Sequence, residues 1–189
     1  MSKIAVLLTP GFADWEYAFI AGTGGPFYGP DVQFFGAEAG PVVSQGGLAA
    51  STSQSLDDLQ SWRPDVVVVV GGMIWEDSEA RDLRELLTRH YDEGATVAGI
   101  CGGTLALARS GLLNRVHHTS NSQAFLAENA QGYQGGSGYI ESVSAVSDAR
   151  VITAPGTAPA GFTAAVFSAA GVPDEAVSRF RAMMAAEHA

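Results

Sequence analysis

The 189-residue sequence predicts an α/β protein with one doubly wound, mostly parallel β-sheet that helices cover on both faces. Short apolar runs typical of buried strands alternate along the chain with segments of helical periodicity. Residues 66–70 are five consecutive valines, as expected of a central parallel strand buried on both faces. No linker, repeat or charged block divides the chain. We therefore expect a single domain over residues 1–189.

The individual elements follow from apolar periodicity and from turn residues. The first half is predicted to contain strands at residues 4–8 and 32–35, a helix from about Asp14 that is interrupted at residues 22–26, a small hairpin of residues 41–43 and 46–50, and a helix start at Ser55. The second half is predicted to contain strands at residues 66–70, 95–98, 140–146 and 150–153 with a turn at 147–148, a loop at 132–138, and helices at 78–93, 104–109, 122–130, 159–170 and from Pro173 onward.

The only cysteine of the chain lies between a predicted strand and a predicted helix, in the segment Gly99-Ile100-Cys101-Gly102-Gly103. Gly-x-Cys-x-Gly in this setting has the form of a nucleophile elbow with sulfur in place of the serine oxygen. A helix N-terminus favours the thiolate over the thiol, so the position predicts a lowered thiol pKa. The alternative is an inert core cysteine, because free cysteine is among the most buried residue types.

Several residues could assist such a thiol. The carboxyl ends of parallel strands meet at one sheet edge, where ligands bind. Asp14 or Glu16, after the first strand, could hold a proton and donate it to the sulfur. Backbone N–H groups of Gly72 and Gly102 could stabilise a developing negative charge. His117 or His118 could be the base of a Cys-His pair, although each alone fits a structural role better.

Composition excludes several classes of function. The net charge is −10 and no Lys/Arg cluster occurs, so neither nucleic acid nor an anionic membrane surface is an expected partner. No apolar run is long enough to span a bilayer. The chain has no zinc-ligand spacing and no glycine motif for nucleotides, so we expect no metal and no cofactor. One cysteine and the absence of a signal-peptide pattern indicate a cytoplasmic protein.

The elbow segment, extended through residues 105–113, resembles that of the ThiJ/PfpI superfamily, which includes the human protein associated with Parkinson disease. Ala13-Asp14-Trp15-Glu16 resembles the first-helix motif of that superfamily, and residues 66–72 resemble its central strand. Segments at residues 118–121 and 152–154 also have counterparts, so the resemblance covers nearly the whole chain. It implies a flavodoxin-like three-layer sandwich of the class I glutamine amidotransferase type, and a homodimer.

The resemblance also implies roles for single residues. It makes Cys101 the nucleophile and Glu16, not Asp14, the carboxyl group bonded to its sulfur. Many members carry a histidine where this chain has Asn121, and the protease-like branch carries one where this chain has Gly102. His118 would then have to act from three residues earlier, or the thiol would have no histidine partner. Both departures weaken the case for a peptidase.

Three hypotheses about function follow. The first, which we favour, is an enzyme in which Cys101 attacks a small electrophile (an acyl compound, a reactive dicarbonyl or an isonitrile-type carbon), as a hydrolase, hydratase or glyoxalase-like enzyme would. The second is a stress-response protein that turns over no substrate and senses peroxide by oxidation of Cys101. The third is a scaffold or chaperone with an inert cysteine.

Overall fold

A computed structural model describes residues 1–78 and 80–186. A seven-stranded sheet has the order β5-β2-β1-β6-β7-β9-β8. Its strands are β1 (Lys3–Leu7), β2 (Asp31–Gly36), β5 (Gln54–Ser55), β6 (Val66–Val69), β7 (Thr96–Ile100), β8 (Val146–Asp148) and β9 (Val151–Ala154), while β3 (Gly40–Val43) and β4 (Ala49–Thr52) form a separate hairpin. All pairings in the large sheet are parallel except β8 with β9, which confirms the mostly parallel sheet.

Seven α-helices surround the sheet within the described residues. They are α1 (Ala18–Thr23), α2 (Leu56–Trp62), α3 (Arg84–Asp92), α4 (Gly103–Arg109), α5 (Gln123–Asn129), α6 (Pro159–Ala169) and α7 (Asp174–Ala185). Alternate residues of the central strands face opposite sides, because side chains of a strand alternate. Val66 and Val68 pack in the core beneath α1, α6 and α7, and Val67 and Val69 pack in the core beneath α2 to α5. The predicted three-layer sandwich is confirmed.

The register of the central strands explains why the valine run is needed. Val66 pairs with Ile4 of β1 on one side and with Thr96 of β7 on the other. Every residue of β6 is fully buried, as expected of a strand with neighbours on both edges and helices on both faces. β1, β6 and β7 therefore end side by side, and their carboxyl ends carry the candidate site.

Several predicted boundaries are wrong. The first helix begins at Ala18 and not near Asp14, and the glycine-rich segment after it continues as a π-helix, Gly24–Tyr28. Gly24 lies so close to Val32 that a Cβ there would be 2.8 Å from the Val32 side chain. The helix expected from residue 78 begins at Arg84, whose N–H bonds the Asp82 carboxylate (2.8 Å).

Two further errors lie around β8. Of the predicted strand at residues 140–146, only Val146 belongs to a strand, and the turn falls at residues 149–150. The segment before β8 is bonded elsewhere instead, since Ile140 N–H donates to the His118 carbonyl (2.7 Å). No helix among the described residues has the length and apolar character needed to cross a bilayer.

Candidate active site

Cys101 occupies the turn between β7 and α4. Its φ of 53° lies in the left-handed region, which a residue with a side chain adopts only when the surrounding structure holds it there. The Cys101 N–H donates to the Ala154 carbonyl of β9 (3.0 Å), which fixes one side of the turn. On the other side a Cβ at Gly102 would lie 2.6 Å from the Gly72 carbonyl oxygen. The glycine after the cysteine is thus required by the close approach of the Gly72 backbone.

Glu16 lies in the turn before α1, and its side chain is fully buried. Its Oε2 accepts a hydrogen bond from the Gly71 N–H (2.7 Å) at the end of β6. Its Oε1 is buried without a hydrogen-bond partner, and the carboxyl group as a whole lies against the Cys101 thiol. Burial raises the pKa of Glu16 to about 7, and the bonds with Cys101 and Gly71 only partly oppose this effect.

Asn121 holds the other side of the sulfur. Its Nδ2 donates to Cys101 Sγ (3.3 Å), and its Oδ1 accepts from the Gly156 N–H (3.0 Å). Asn121 thus occupies the place at the sulfur that a histidine partner would need. An amide can orient a thiol or stabilise a thiolate, but it cannot carry a proton to or from it.

The thiol pKa differs from the one that the sequence predicts. Burial, followed by the negative charge of Glu16, raises the pKa of Cys101 to about 11. Asn121 and the Gly102 N–H lower it, but by less. A helix N-terminus therefore does not outweigh a buried carboxylate beside the sulfur. The thiol and the carboxyl group form a coupled pair, whose first proton leaves near pH 7.

Two glycines enclose this pair. A Cβ at Gly71 would lie 2.8 Å from Cys101 Cβ, and a Cβ at Gly156 would lie 2.9 Å from Cys101 Sγ and 3.2 Å from Glu16 Oε1. The Gly156 carbonyl also accepts a hydrogen bond from Trp15 Nε1 (3.0 Å). Sequence reasoning missed Gly156. The signal was the Pro155-Gly156 pair directly after β9, whose carboxyl end lies beside that of β7.

The remaining predicted residues divide into those near the sulfur and those elsewhere. Gly102 lies at the elbow, with its N–H directed to Cys101. Gly72 lies at the same edge in a bridge to Phe12, while the N–H that binds Glu16 belongs to Gly71. Asp14 does not join the pair, because its Oδ2 accepts from the Gly46 N–H (2.8 Å) in the β3–β4 hairpin.

The structure does not bring His118 to the sulfur. His118 is fully buried, its Nδ1 donates to the Val116 carbonyl (2.8 Å), and its Nε2 accepts from the Tyr133 hydroxyl (2.7 Å). Both ring nitrogens are therefore engaged, and burial lowers its pKa, which keeps the ring neutral. The prediction that His118 pairs with Cys101 is wrong in its geometry. His117 also lies elsewhere, exposed and paired with Asp148 (3.2 Å).

Two cavities of the structure lie away from the Cys101 sulfur. One of about 700 Å³ is lined by residues around Trp75 and Arg109, and one of about 400 Å³ surrounds His90 at the opposite edge of the sheet. No group of three or more His, Cys, Asp or Glu side chains is arranged to hold a metal ion within residues 1–78 and 80–186.

Comparison with known proteins gives a family for this arrangement. The model of the DJ-1/PfpI family matches residues 2–169. A Bacillus subtilis protein named "Uncharacterized protease YoaZ" is 30% identical over 171 residues, which cover 87% of this chain and 81% of that protein. The crystal structure of the DJ-1 superfamily protein Atu0886 from Agrobacterium tumefaciens is 36% identical with a TM-score of 0.93, and the match covers 100% of both chains. A thiJ/pfpI family protein from Bacillus anthracis is 30% identical with a TM-score of 0.81, over 92% of this chain and 84% of that one. With its elbow cysteine beside a buried glutamate, this chain belongs to the DJ-1/PfpI family.

Proposed function

We propose that this protein is an enzyme in which Cys101 attacks the electrophilic carbon of a small molecule and Glu16 relays the proton. The observation that carries the proposal is the buried Glu16 carboxyl group, which lies against the thiol and whose Oε1 has no hydrogen-bond partner. A carboxyl group with a pKa near 7 can both accept and return a proton at neutral pH.

The proposed step balances without a further reactant. As the bond between Cys101 Sγ and the substrate carbon forms, the thiol proton moves to Glu16 Oε1. With a carbonyl substrate, the carbonyl π electrons move to the oxygen, which the N–H groups of Gly72 and Gly102 would stabilise. With a dicarbonyl, Glu16 then returns the proton to that oxygen. With an activated ester, the oxyanion collapses instead, the phenolate leaves with its bonding electron pair, and water hydrolyses the resulting thioester to release the acid and the thiol. With an isonitrile, the same proton goes to the carbon that the sulfur has attacked.

The absence of a histidine at the sulfur favours small substrates over peptides. Hydrolysis of a peptide needs an acid that protonates the leaving amine, and Asn121 cannot supply one. We therefore favour an activated acyl compound, a reactive dicarbonyl or an isonitrile as substrate.

A peroxide sensor is the competing function. Reactive sensor thiols are exposed and have lowered pKa values, whereas Cys101 is partly buried and has a raised pKa. Turnover is better supported because Glu16 can take the thiol proton while the sulfur attacks a bound carbon, whereas a sensor needs a thiol that is already ionised. Intact-mass measurement after mild peroxide separates the two, since a sensor gains one or two oxygen atoms at Cys101 before any other residue reacts.

The proposal is tested with a p-nitrophenyl ester, an α-dicarbonyl such as methylglyoxal, and an aryl isonitrile. We expect turnover of at least one, its loss in Cys101→Ser, and a loss of roughly 100-fold in Glu16→Gln. Because the one-proton form of the pair reacts, kcat/KM should rise with pH through a midpoint near 7. The exposed Glu141→Gln variant is the control. Turnover that survives Cys101→Ser, or none with all three compounds, overturns the proposal.

A further inference from the structure

A third cavity lies at the edge of the sheet that carries Cys101, where β1 and β2 end. It has a volume of about 240 Å³. Residues from β1 and β2 form its floor, and the segments around Ile74 and Leu83 form its roof. Principal wall residues are Leu7, Phe35, Leu56, Ile74, Trp75 and Leu83. Cys101 is not part of this wall.

The wall is almost entirely apolar. Leu7, Phe35 and Trp75 are 2% exposed or less. The polar side chains that line the cavity are those of Thr9 and Arg81. The Arg81 guanidinium donates to the Ala37 carbonyl (3.3 Å), so its charge is held at the mouth of the cavity. Neither a charged nor a strongly polar ligand would find partners inside.

Size restricts the ligand further. An apolar cavity of about 150 Å³ is enough to hold benzene in a protein core, whereas drug-sized ligands occupy roughly 300 Å³ or more. We propose that this cavity is a binding site for a small apolar molecule, either a single aromatic ring or a short alkyl chain. Such a molecule would make van der Waals contacts with aliphatic and aromatic carbons on all sides.

The cavity shares one wall with the elbow. Trp75 Nε1 donates to the Val70 carbonyl (2.9 Å), which fixes the indole, and Trp75 Cδ1 lies 3.2 Å from the position of a Cβ at Gly102. A molecule in the cavity would therefore contact the same indole that packs against the residue after the nucleophile. The proposed site is separate from Cys101 and goes beyond the proposed catalysis.

Benzene is the probe for the test, and the methyl NMR signals of leucine, isoleucine and valine are the readout. We expect saturable shifts of the methyl signals of Leu7, Leu56 and Leu83, together with a rise in Tm as benzene binds the folded chain. Ile74→Phe and Ala80→Phe place a ring in the cavity and should weaken benzene binding at least tenfold. Ala39→Phe adds the same ring to an exposed position outside the wall and should bind as the unmodified protein does.

Two outcomes would overturn the proposal. One is the absence of saturable shifts at these leucines up to the solubility of benzene. The other is unchanged binding in both ring-filled variants, each shown by its spectrum to be folded. Cys101→Ser should bind benzene normally, so a failure of the proposed catalysis and a failure of this site give different results.

Discussion

Among the described carboxyl groups, Glu16 is the one whose ionisation the folded state disfavours most. Its ordinary pKa of 4.5 is raised to about 7 by burial, so the folded state favours the protonated acid. Below about pH 4.5 both folded and unfolded chains hold this proton, and there is no cost. Between about pH 4.5 and 7 the unfolded chain releases this proton while the folded chain keeps it, which lowers the free energy of unfolding by about 3 kcal/mol. Above pH 7 the folded chain buries a carboxylate and the cost stays constant.

Glu16→Gln should therefore stabilise the protein above neutral pH while it removes the proposed proton relay. We expect the free energy of unfolding at pH 8 to rise by about 2–3 kcal/mol, because a neutral amide avoids the cost of the buried charge. At pH 4.5 the gain should nearly vanish. Urea unfolding at both pH values measures the difference. A gain of equal size at both, or the same gain in the exposed Glu141→Gln, would contradict the assignment to burial.

For single residues, the sequence predicted the pair of Cys101 and Glu16 but not the residues that contact this pair. Cys101 could be found because the strand, turn and glycines around it form a local pattern, and Glu16 because a family motif contains it. His118 was misplaced because its distance from Cys101 along the chain says nothing about where its ring nitrogens point. The raised thiol pKa depends on burial, which is set by Gly71 and Gly156 from two other strands.

Among the elements, the β8–β9 hairpin has the most demanding turn. Ala149 and Arg150 both have positive φ, 45° and 62°, as a two-residue hairpin of the I′ kind requires. Glycine or asparagine is usual at such positions. Arg150 gains contacts in return, because its guanidinium stacks on Tyr91 at 4.4 Å and donates to the Tyr91 carbonyl (2.7 Å). Ala149 is exposed, and no comparable contact offsets its backbone strain.

Ala149→Gly should stabilise the hairpin. Left-handed backbone costs an alanine about 1–2 kcal/mol, and glycine loses part of this advantage through greater freedom of the unfolded chain. We expect the free energy of unfolding to rise by about 1 kcal/mol, measured by chemical denaturation. Arg150→Gly should instead destabilise, since it removes the contacts with Tyr91. The exposed loop variant Ala39→Gly serves as the control, and a gain of similar size there would refute the argument from φ.

The turn also shows why some elements could not be predicted. Ala149-Arg150 has no sequence signal of a hairpin, so the strand was placed too early, at residues 140–146. Strands buried on both faces, such as β6 and β7, were found because burial requires an apolar run. Edge strands and helix starts lack that requirement. The N-terminus of α3 instead follows from a single hydrogen bond to Asp82.

For the whole molecule, stability rests on two apolar cores separated by the sheet. The core beneath α1, α6 and α7 contains an aromatic group in which Phe167 lies 5.7 Å from Phe180 and 4.9 Å from Tyr28, ring centre to ring centre. Phe167 is fully buried. Phe27, which precedes Tyr28 in the π-helix, is 76% exposed. The continuous apolar runs of the central strands made both cores predictable, but the packing of the aromatic rings was not.

Phe167→Ala should lower the free energy of unfolding by about 3–5 kcal/mol, because it leaves a cavity among rings that cannot close around it. Phe27→Ala removes the same atoms from an exposed position and should change stability by about 0.5 kcal/mol or less. Urea unfolding followed by tryptophan fluorescence measures both. Similar losses in the two variants would show that the π-helix, and not only the buried core, depends on its phenylalanine.

The groups around Cys101 Sγ come from residues 16, 71, 121 and 156, so nearly the whole chain must emerge from the ribosome before they can meet. Until β9 and Gly156 are synthesised, the turn lacks the backbone to which Cys101 N–H donates. A nascent or truncated chain would carry an ordinary thiol, free of the buried carboxylate that alters its titration. The chemistry of Cys101 is in this sense acquired late in synthesis, and an unfinished chain would not display it.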